Sequence, residues 1–171
     1  NNKLIHLAVT DHHNIEAYLL MKNWIDENSW KFTFKTNIWT GLEISCLLNK
    51  CLVHVLAYGF DIKAKSLLKY IQNESQIGKD LQISNVIKAI KDAGGISILA
   101  HPARYRIHFN DLIDEAFMLN VDGAEAWYDY QLKPIWSPTP IVCDLIDTKL
   151  KSLGLLSSCG TDSHGKCLNG R

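Results

Sequence analysis

A chain of 171 residues is the length of one ordinary domain, with room for a single core. Its 18 basic and 18 acidic residues cancel, which excludes a broad electrostatic hold on nucleic acid or anionic membrane, and no apolar run reaches the roughly 18 residues a membrane span needs. Five cysteines without a Cys-x-x-Cys pair exclude a disulfide framework or a zinc knuckle and point to reduced thiols in the cytoplasm. The opening, NNKLIHLAVTDHH, lacks the basic and long apolar regions of a signal peptide and begins almost inside a strand.

From there, strand-like and helix-like runs alternate. LIHLAV reads as a strand, and Ile15 to Glu27 as a helix whose Tyr18, Leu19, Met21 and Ile25 share a buried face. FTFKTNIWTGLEIS and CLVHVLAYGF read as two strands flanking the turn Asn49-Lys50. A long helical region is expected from Lys65 to Ala93, broken near Gly78, with Val86, Ile87, Ile90 and Ala93 on one stripe and Gly94-Gly95 as its stop. ISILAH is a buried strand by composition. A helix around Asp111 to Asn120, the strand DGAEAW, a loop punctuated by Pro134, Pro138 and Pro140, a helix to Leu153 and the strand LLSSC complete the chain. The order predicts an α/β architecture with a largely parallel sheet, open or closed into a barrel.

The carboxyl ends of parallel strands gather on one face, where loops build active sites. His12, His101 and His164 fall at or just beyond such ends, as do Asp11 and Asp162, and Glu43 is placed late in its strand. His54 lies inside its strand, where it reads either as a hydrogen-bonded core residue or as a ligand. Together His12, Glu43, His54, His101, Asp162 and His164 offer imidazole and carboxylate without thiolate, a donor set suited to Zn, Mn or Fe. His6 and His108 read as surface or helix-entry residues, and His13 either points at the site or covers it.

Only three of the 18 basic residues are Arg, and two of them, Arg104 and Arg106, directly follow AHP. The planar guanidinium suits bidentate binding of a substrate anion, with Arg104 the stronger candidate. Trp127, Tyr128, Tyr130 and Trp136 form an aromatic loop that either stacks on a base or packs into the core. Cys159 reads as a small buried filler near the site rather than a nucleophile.

TDHH, GLEIS, AHPARYR and GTDSHG in this order, with a His between the second and third, resemble the polymerase and histidinol phosphatase (PHP) domain family over nearly the whole chain. The resemblance implies a distorted (β/α)7 barrel holding two or three divalent ions (Mn, Zn or Fe) and catalysing phosphoester hydrolysis by a metal-bound hydroxide. It maps His12, Glu43, His54, His101, Asp162 and His164 onto metal ligands, with Glu43 as the bridge. His12 and His164 would complete one ion, and His54 and His101 another. The AHPARYR form is similar to the stand-alone branch that acts on nucleotide phosphoesters and short RNA ends, where an Arg after AHP contacts phosphate. Arg104 fits that role.

Three departures shape the expectation. The family's first strand, with His-x-His and a following Asp, is not present before Asn1, so the chain reads as a single PHP domain over 1–171 lacking that strand. Fewer ions, a chain inactive as it stands and an open sheet edge covered by an oligomer partner or second chain are then expected. Between His54 and His101 there is no room for a capping subdomain, so the site should be open. The family's second acid in TDHD is His13 here. The expected substrate is a small phosphorylated molecule, a nucleotide or short RNA. The alternatives are a histidinol-phosphate-type phosphatase, a non-catalytic metal-binding PHP module, and an amidohydrolase-like barrel cleaving C–N bonds.

Overall fold

A computed structural model describes residues 5–31 and 36–164. Leu4, the FTFK start of the second expected strand, Gly165, Cys167 and Arg171 lie outside them. The chain is mixed α/β and divides into two compact units, Asn1–Cys46 with Val55–Ser97, and Leu47–His54 with Ile98–Arg171.

In the first unit β1 (His6–Ala8) pairs in parallel with β2 (Asn37–Trp39), joined by α1 (Glu16–Glu27). Thr40 separates β2 from β3 (Gly41–Leu48), so the single run expected from sequence is two strands. Gly41 is required where β3 begins, because a Cβ there would lie 2.2 Å from the Val9 carbonyl oxygen. β3 is buried along nearly its whole length, as a continuous apolar strand covered on both faces should be. Leu42, Ile44 and Cys46 join Val55 and Ala57 of β4 (Cys51–Tyr58) and Val86, Ile87 and Ile90 of α2 (Ile83–Asp92) in this unit's core. Gly94, left-handed at φ 74°, follows the helix end.

Two helix expectations are corrected. α1 buries no side chain, and Leu20 and Trp24 are exposed. The spacing of its apolar residues marks a face, but nothing among the described residues covers it fully. The first half of the expected Lys65–Ala93 helix is instead two short 3-10 turns, Leu68–Tyr70 and Gly78–Leu81. Leu67 and Tyr70, three apart, are buried from such a turn, and left-handed Asn73 (φ 63°) stops helical propagation.

In the second unit β5 (Ile96–Leu99) continues from Ile98 beside β6 (Gly123–Trp127), and β6 pairs with β7 (Leu156–Cys159), both in parallel. α3 (Phe109–Met118) and α4 (Pro140–Leu153) supply Leu112, Ile113, Cys143, Ile146 and Leu150 to the core. Pro140 opens α4 and Gly154 (φ 69°) closes it.

The strands form a two-stranded sheet and a five-stranded sheet of order β3-β4-β5-β6-β7. The closed seven-stranded barrel is not formed among the described residues. Continuing past β3 needs a strand beside it, yet β1 ends at Ala8 and the chain after it makes only an isolated bridge, His12 to Glu43, before turning at left-handed His13 (φ 52°). No helix among the described residues is long and apolar enough to cross a membrane.

Candidate functional site

The first unit brings His12 and Glu43 together through the backbone. The Glu43 N–H donates to the Asp11 carbonyl at 3.0 Å, and the His13 N–H donates to the Glu43 carbonyl at 2.9 Å. This parallel bridge sets His12 directly across from Glu43, which is the third residue of β3, early in the strand rather than late. His12 Nε2 lies 3.8 Å from Glu43 Oε2, an exposed imidazole against a buried carboxylate. Asp11 and His12 open onto a cleft of about 380 Å³ whose wall includes Asn14, Glu16 and Asn73.

His13, ambiguous from sequence, is buried. Its Nε2 accepts from the Ser45 N–H and lies 3.2 Å from Ser75 Oγ, which places the proton on Nδ1, 3.3 Å from the Tyr70 carbonyl. Its ring is buried against β3 and does not line the cleft.

The second unit holds His54, His101, Arg104, Asp162 and His164. The His54 carbonyl accepts from the Ala100 N–H at 3.0 Å, and the His54 N–H donates to Tyr105 Oη at 2.8 Å. These bonds set the His54 and His101 rings edge to face, with centroids 5.3 Å apart. His101 is buried and left-handed at φ 29°. Its N–H donates to Glu125 Oε2 at 2.9 Å.

Beyond β7, Asp162 is also left-handed (φ 49°). Its Oδ2 accepts from Arg104 Nη1 at 2.7 Å and from the Tyr128 hydroxyl at 2.6 Å, and the same Arg104 nitrogen donates to Tyr128 Oη at 2.8 Å. Burial opposes the Arg104 charge, but Tyr128 and Asp162 outweigh it and raise the guanidinium pKa, so this cation persists at any working pH. His164 is exposed, with Nδ1 3.0 Å from the Asp162 carbonyl oxygen. Non-glycine residues in left-handed geometry cost on the order of 1–3 kcal/mol each and cluster at functional sites. His13, His101 and Asp162 share that geometry.

Other candidates have different places. Arg106 Nη2 donates to the Lys50 carbonyl at the hairpin tip. His108 caps α3, accepting from the Asn110 N–H, and His6 accepts from Trp39 Nε1. Tyr128 is fully buried, Tyr130 Oη donates to the Glu125 carbonyl, and Trp136 Nε1 donates to the Gly160 carbonyl, so these aromatics pack and anchor the loop. Cys159 is exposed rather than buried; desolvation first, and Glu125 second, raise its thiol pKa and keep it protonated.

Glu125 was missed by the sequence reading, and Tyr128 was read only as a stacking or packing aromatic of its loop, not as a partner of Arg104 and Asp162. The signal for Glu125 was an acid within the small apolar residues of GAEAW, since a buried carboxylate needs donors. It is buried, with a backbone donor on Oε2, and its Oε1 lies where a Cβ on Gly160 would sit, 2.0 Å away. Nothing in sequence ties Tyr128 to Asp162.

The side chains present fit a divalent ion in chemistry: in the first unit imidazole and carboxylate present ligand atoms side by side, without thiolate.

No protein-family profile matches the chain, and no curated protein matches it. Solved structures do. A protein assigned as a metal-dependent phosphoesterase from Bifidobacterium adolescentis matches with a TM-score of 0.71 at 17% identity, over 98% of this chain and 80% of its own. An amidohydrolase from Chromobacterium violaceum, with sulfate bound and no metal, matches with a TM-score of 0.74 at 15% identity, over 97% of this chain and 79% of its own. At these identities the likeness is one of fold, and it extends over nearly the whole chain.

Proposed function

We propose that this chain is a metal-dependent hydrolase acting on phosphomonoesters or phosphodiesters of small molecules, with nucleotides or short RNA ends as the substrate class. His12, Glu43, His54, His101, Asp162 and His164 would hold the divalent ions, two or three of Mn, Zn or Fe, and Arg104 would hold the phosphoryl oxygens. The observation that carries the reading is the His12–Glu43 pair, a buried carboxylate beside an open imidazole at the mouth of a cleft. The fold likeness to a protein assigned as a metal-dependent phosphoesterase supports it. When bound, such ions supply Lewis-acid activation of water and neutralise charge on the phosphoryl group.

The chain's own residues then have distinct tasks. Arg104 and Asp162 form an ion pair. A phosphoryl group would compete for the Arg104 guanidinium, and Asp162 would give up that partner as it took a ligand role. Tyr128, bonded to both, would keep the two side chains in place during this exchange. Charge-assisted contacts from Arg104 would contribute about 1.5–3 kcal/mol. The free thiols of Cys46, Cys51, Cys143 and Cys159 support a cytoplasmic setting.

The likeness to an amidohydrolase favours a second reading, cleavage of C–N bonds at the same residues. The test is a chelator-stripped protein reloaded with Mn, Zn or Fe and offered phosphoesters, histidinol phosphate among them, beside amides. Metal-restored hydrolysis of a phosphoester, at least tenfold lower in Arg104→Ala, is expected. Turnover of amides alone would select the second reading. Metal binding with no turnover of either class would leave a binding module in place of an enzyme.

A further inference from the structure

His13 stands where the family resemblance has an acid, and the structure gives it a different task. Its ring meets three groups on two segments of the first unit: the Ser45 N–H of β3, two residues after Glu43, and, on the segment that follows a 3-10 turn, the Tyr70 carbonyl and the Ser75 hydroxyl. The backbone adds a fourth tie, since the Asn73 N–H donates to the His13 carbonyl at 2.9 Å. The segment so held carries Asn73, left-handed, into the wall of the His12 cleft, where its side-chain oxygen accepts from Asn14 Nδ2.

We infer that His13 is a positioning residue that straps the Tyr70–Ser75 segment, holding Asn73 in the wall of the cleft, where it selects substrate by size. The physical case rests on burial. A buried imidazole must place both ring nitrogens on partners, and here those partners belong to the strand that carries Glu43 and to the segment that carries Asn73. The Tyr70 side chain reinforces the anchor, because it is fully buried and its hydroxyl donates to the Asp80 carbonyl at 2.9 Å. Without the His13 ring, Tyr70 remains pinned by its hydroxyl and Asn73 keeps its backbone bond to His13, while Ser75 loses its tie and the segment is held to β3 only through that one backbone bond.

The inference rests on the proposed hydrolase reading only for its kinetic arm. Hydrogen exchange is measured on the full chain for Ser75→Ala, which removes one tie outside the core, and for His13→Asn, which keeps a polar amide and tolerates the left-handed backbone. Faster exchange by at least fivefold in peptides spanning 71–75, with β3 and α2 unchanged, is expected in Ser75→Ala, and a larger local effect in His13→Asn. Unchanged exchange at 71–75 in both variants, or acceleration shared evenly across the first unit, would overturn the strap. In the kinetic arm the ratio of kcat/KM for p-nitrophenyl phosphate over that for a dinucleotide should fall at least threefold in Ser75→Ala as the wall loosens. An unchanged ratio would overturn size selection. Absence of any turnover in the parent chain would sink the hydrolase reading, while the exchange result still decides the strap.

Discussion

Gly160 shows how narrowly a single position can be specified. A methyl group there would meet the Glu125 carboxylate oxygen at 2.0 Å, and the carboxylate cannot retreat freely because its other oxygen accepts from the His101 N–H. Gly160→Ala is therefore expected to destabilise the chain by about 1–3 kcal/mol, the usual scale of overpacking. Glu125→Ala is expected to cost about as much, because it strands a buried donor. The two losses should not add: with Glu125 truncated, the space that Gly160 must leave open exists already, and Gly160→Ala should then cost under about 1 kcal/mol. A double-mutant cycle by chemical denaturation measures this, and additive losses would show that Gly160 is constrained by something other than Glu125.

Among the elements, the hairpin between β3 and β4 carries a tension that sequence alone hinted at. Asn49 (φ 47°) and Lys50 (φ 59°) are both left-handed, the geometry of the two-residue turn that matches the twist of paired strands. Asn tolerates it; Lys does not, at a cost of about 1–2 kcal/mol. Lys50→Gly removes that cost and loses roughly 0.5–1 kcal/mol to unfolded-chain entropy, so a net stabilisation of about 0.5–1 kcal/mol is expected in urea melts. The Lys50 carbonyl that accepts from Arg106 is unaffected, being backbone. This turn, the α2 stripe of Val86, Ile87 and Ile90, and the apolar strands were legible because local pattern and burial agree there. The region from Lys65 to Gly78 was not legible. Its apolar residues are spaced compatibly with a helix, and only the burial of Leu67 and Tyr70 on short turns, with Asn73 tied back to His13, decides against one. α1 failed in the opposite way: the helix is there, but periodicity cannot say whether an apolar face finds a partner.

At the scale of the whole chain, order along the sequence placed His12, His101, Asp162 and His164 near strand ends and Glu43 and His54 within strands, while the pairings that shape each neighbourhood are long-range and have no local signature. Asp162 bonds Tyr128 and Arg104 across separations of 34 and 58 residues. Such contacts carry a prediction about stability, because side chains arranged to hold an ion gain free energy when one binds the folded chain alone. At a free metal concentration one hundred times the dissociation constant the gain is about 2.7 kcal/mol, which for a chain of this size raises the unfolding midpoint by roughly 5–11 °C. Calorimetric melts of chelator-treated protein, with and without Mn or Zn, should show that rise. Glu43→Gln keeps the shape but removes the carboxylate charge and should cut the metal-induced rise by at least half while moving the metal-free midpoint much less. Arg104→Gln should leave the metal-induced rise intact or enlarge it if Asp162 is a ligand as proposed, since Asp162 would then have no guanidinium to give up. An undiminished rise in Glu43→Gln would mean that the ions bind elsewhere on the chain, and an equal loss in both variants would mean that Arg104 supports the bound ions rather than competing with them.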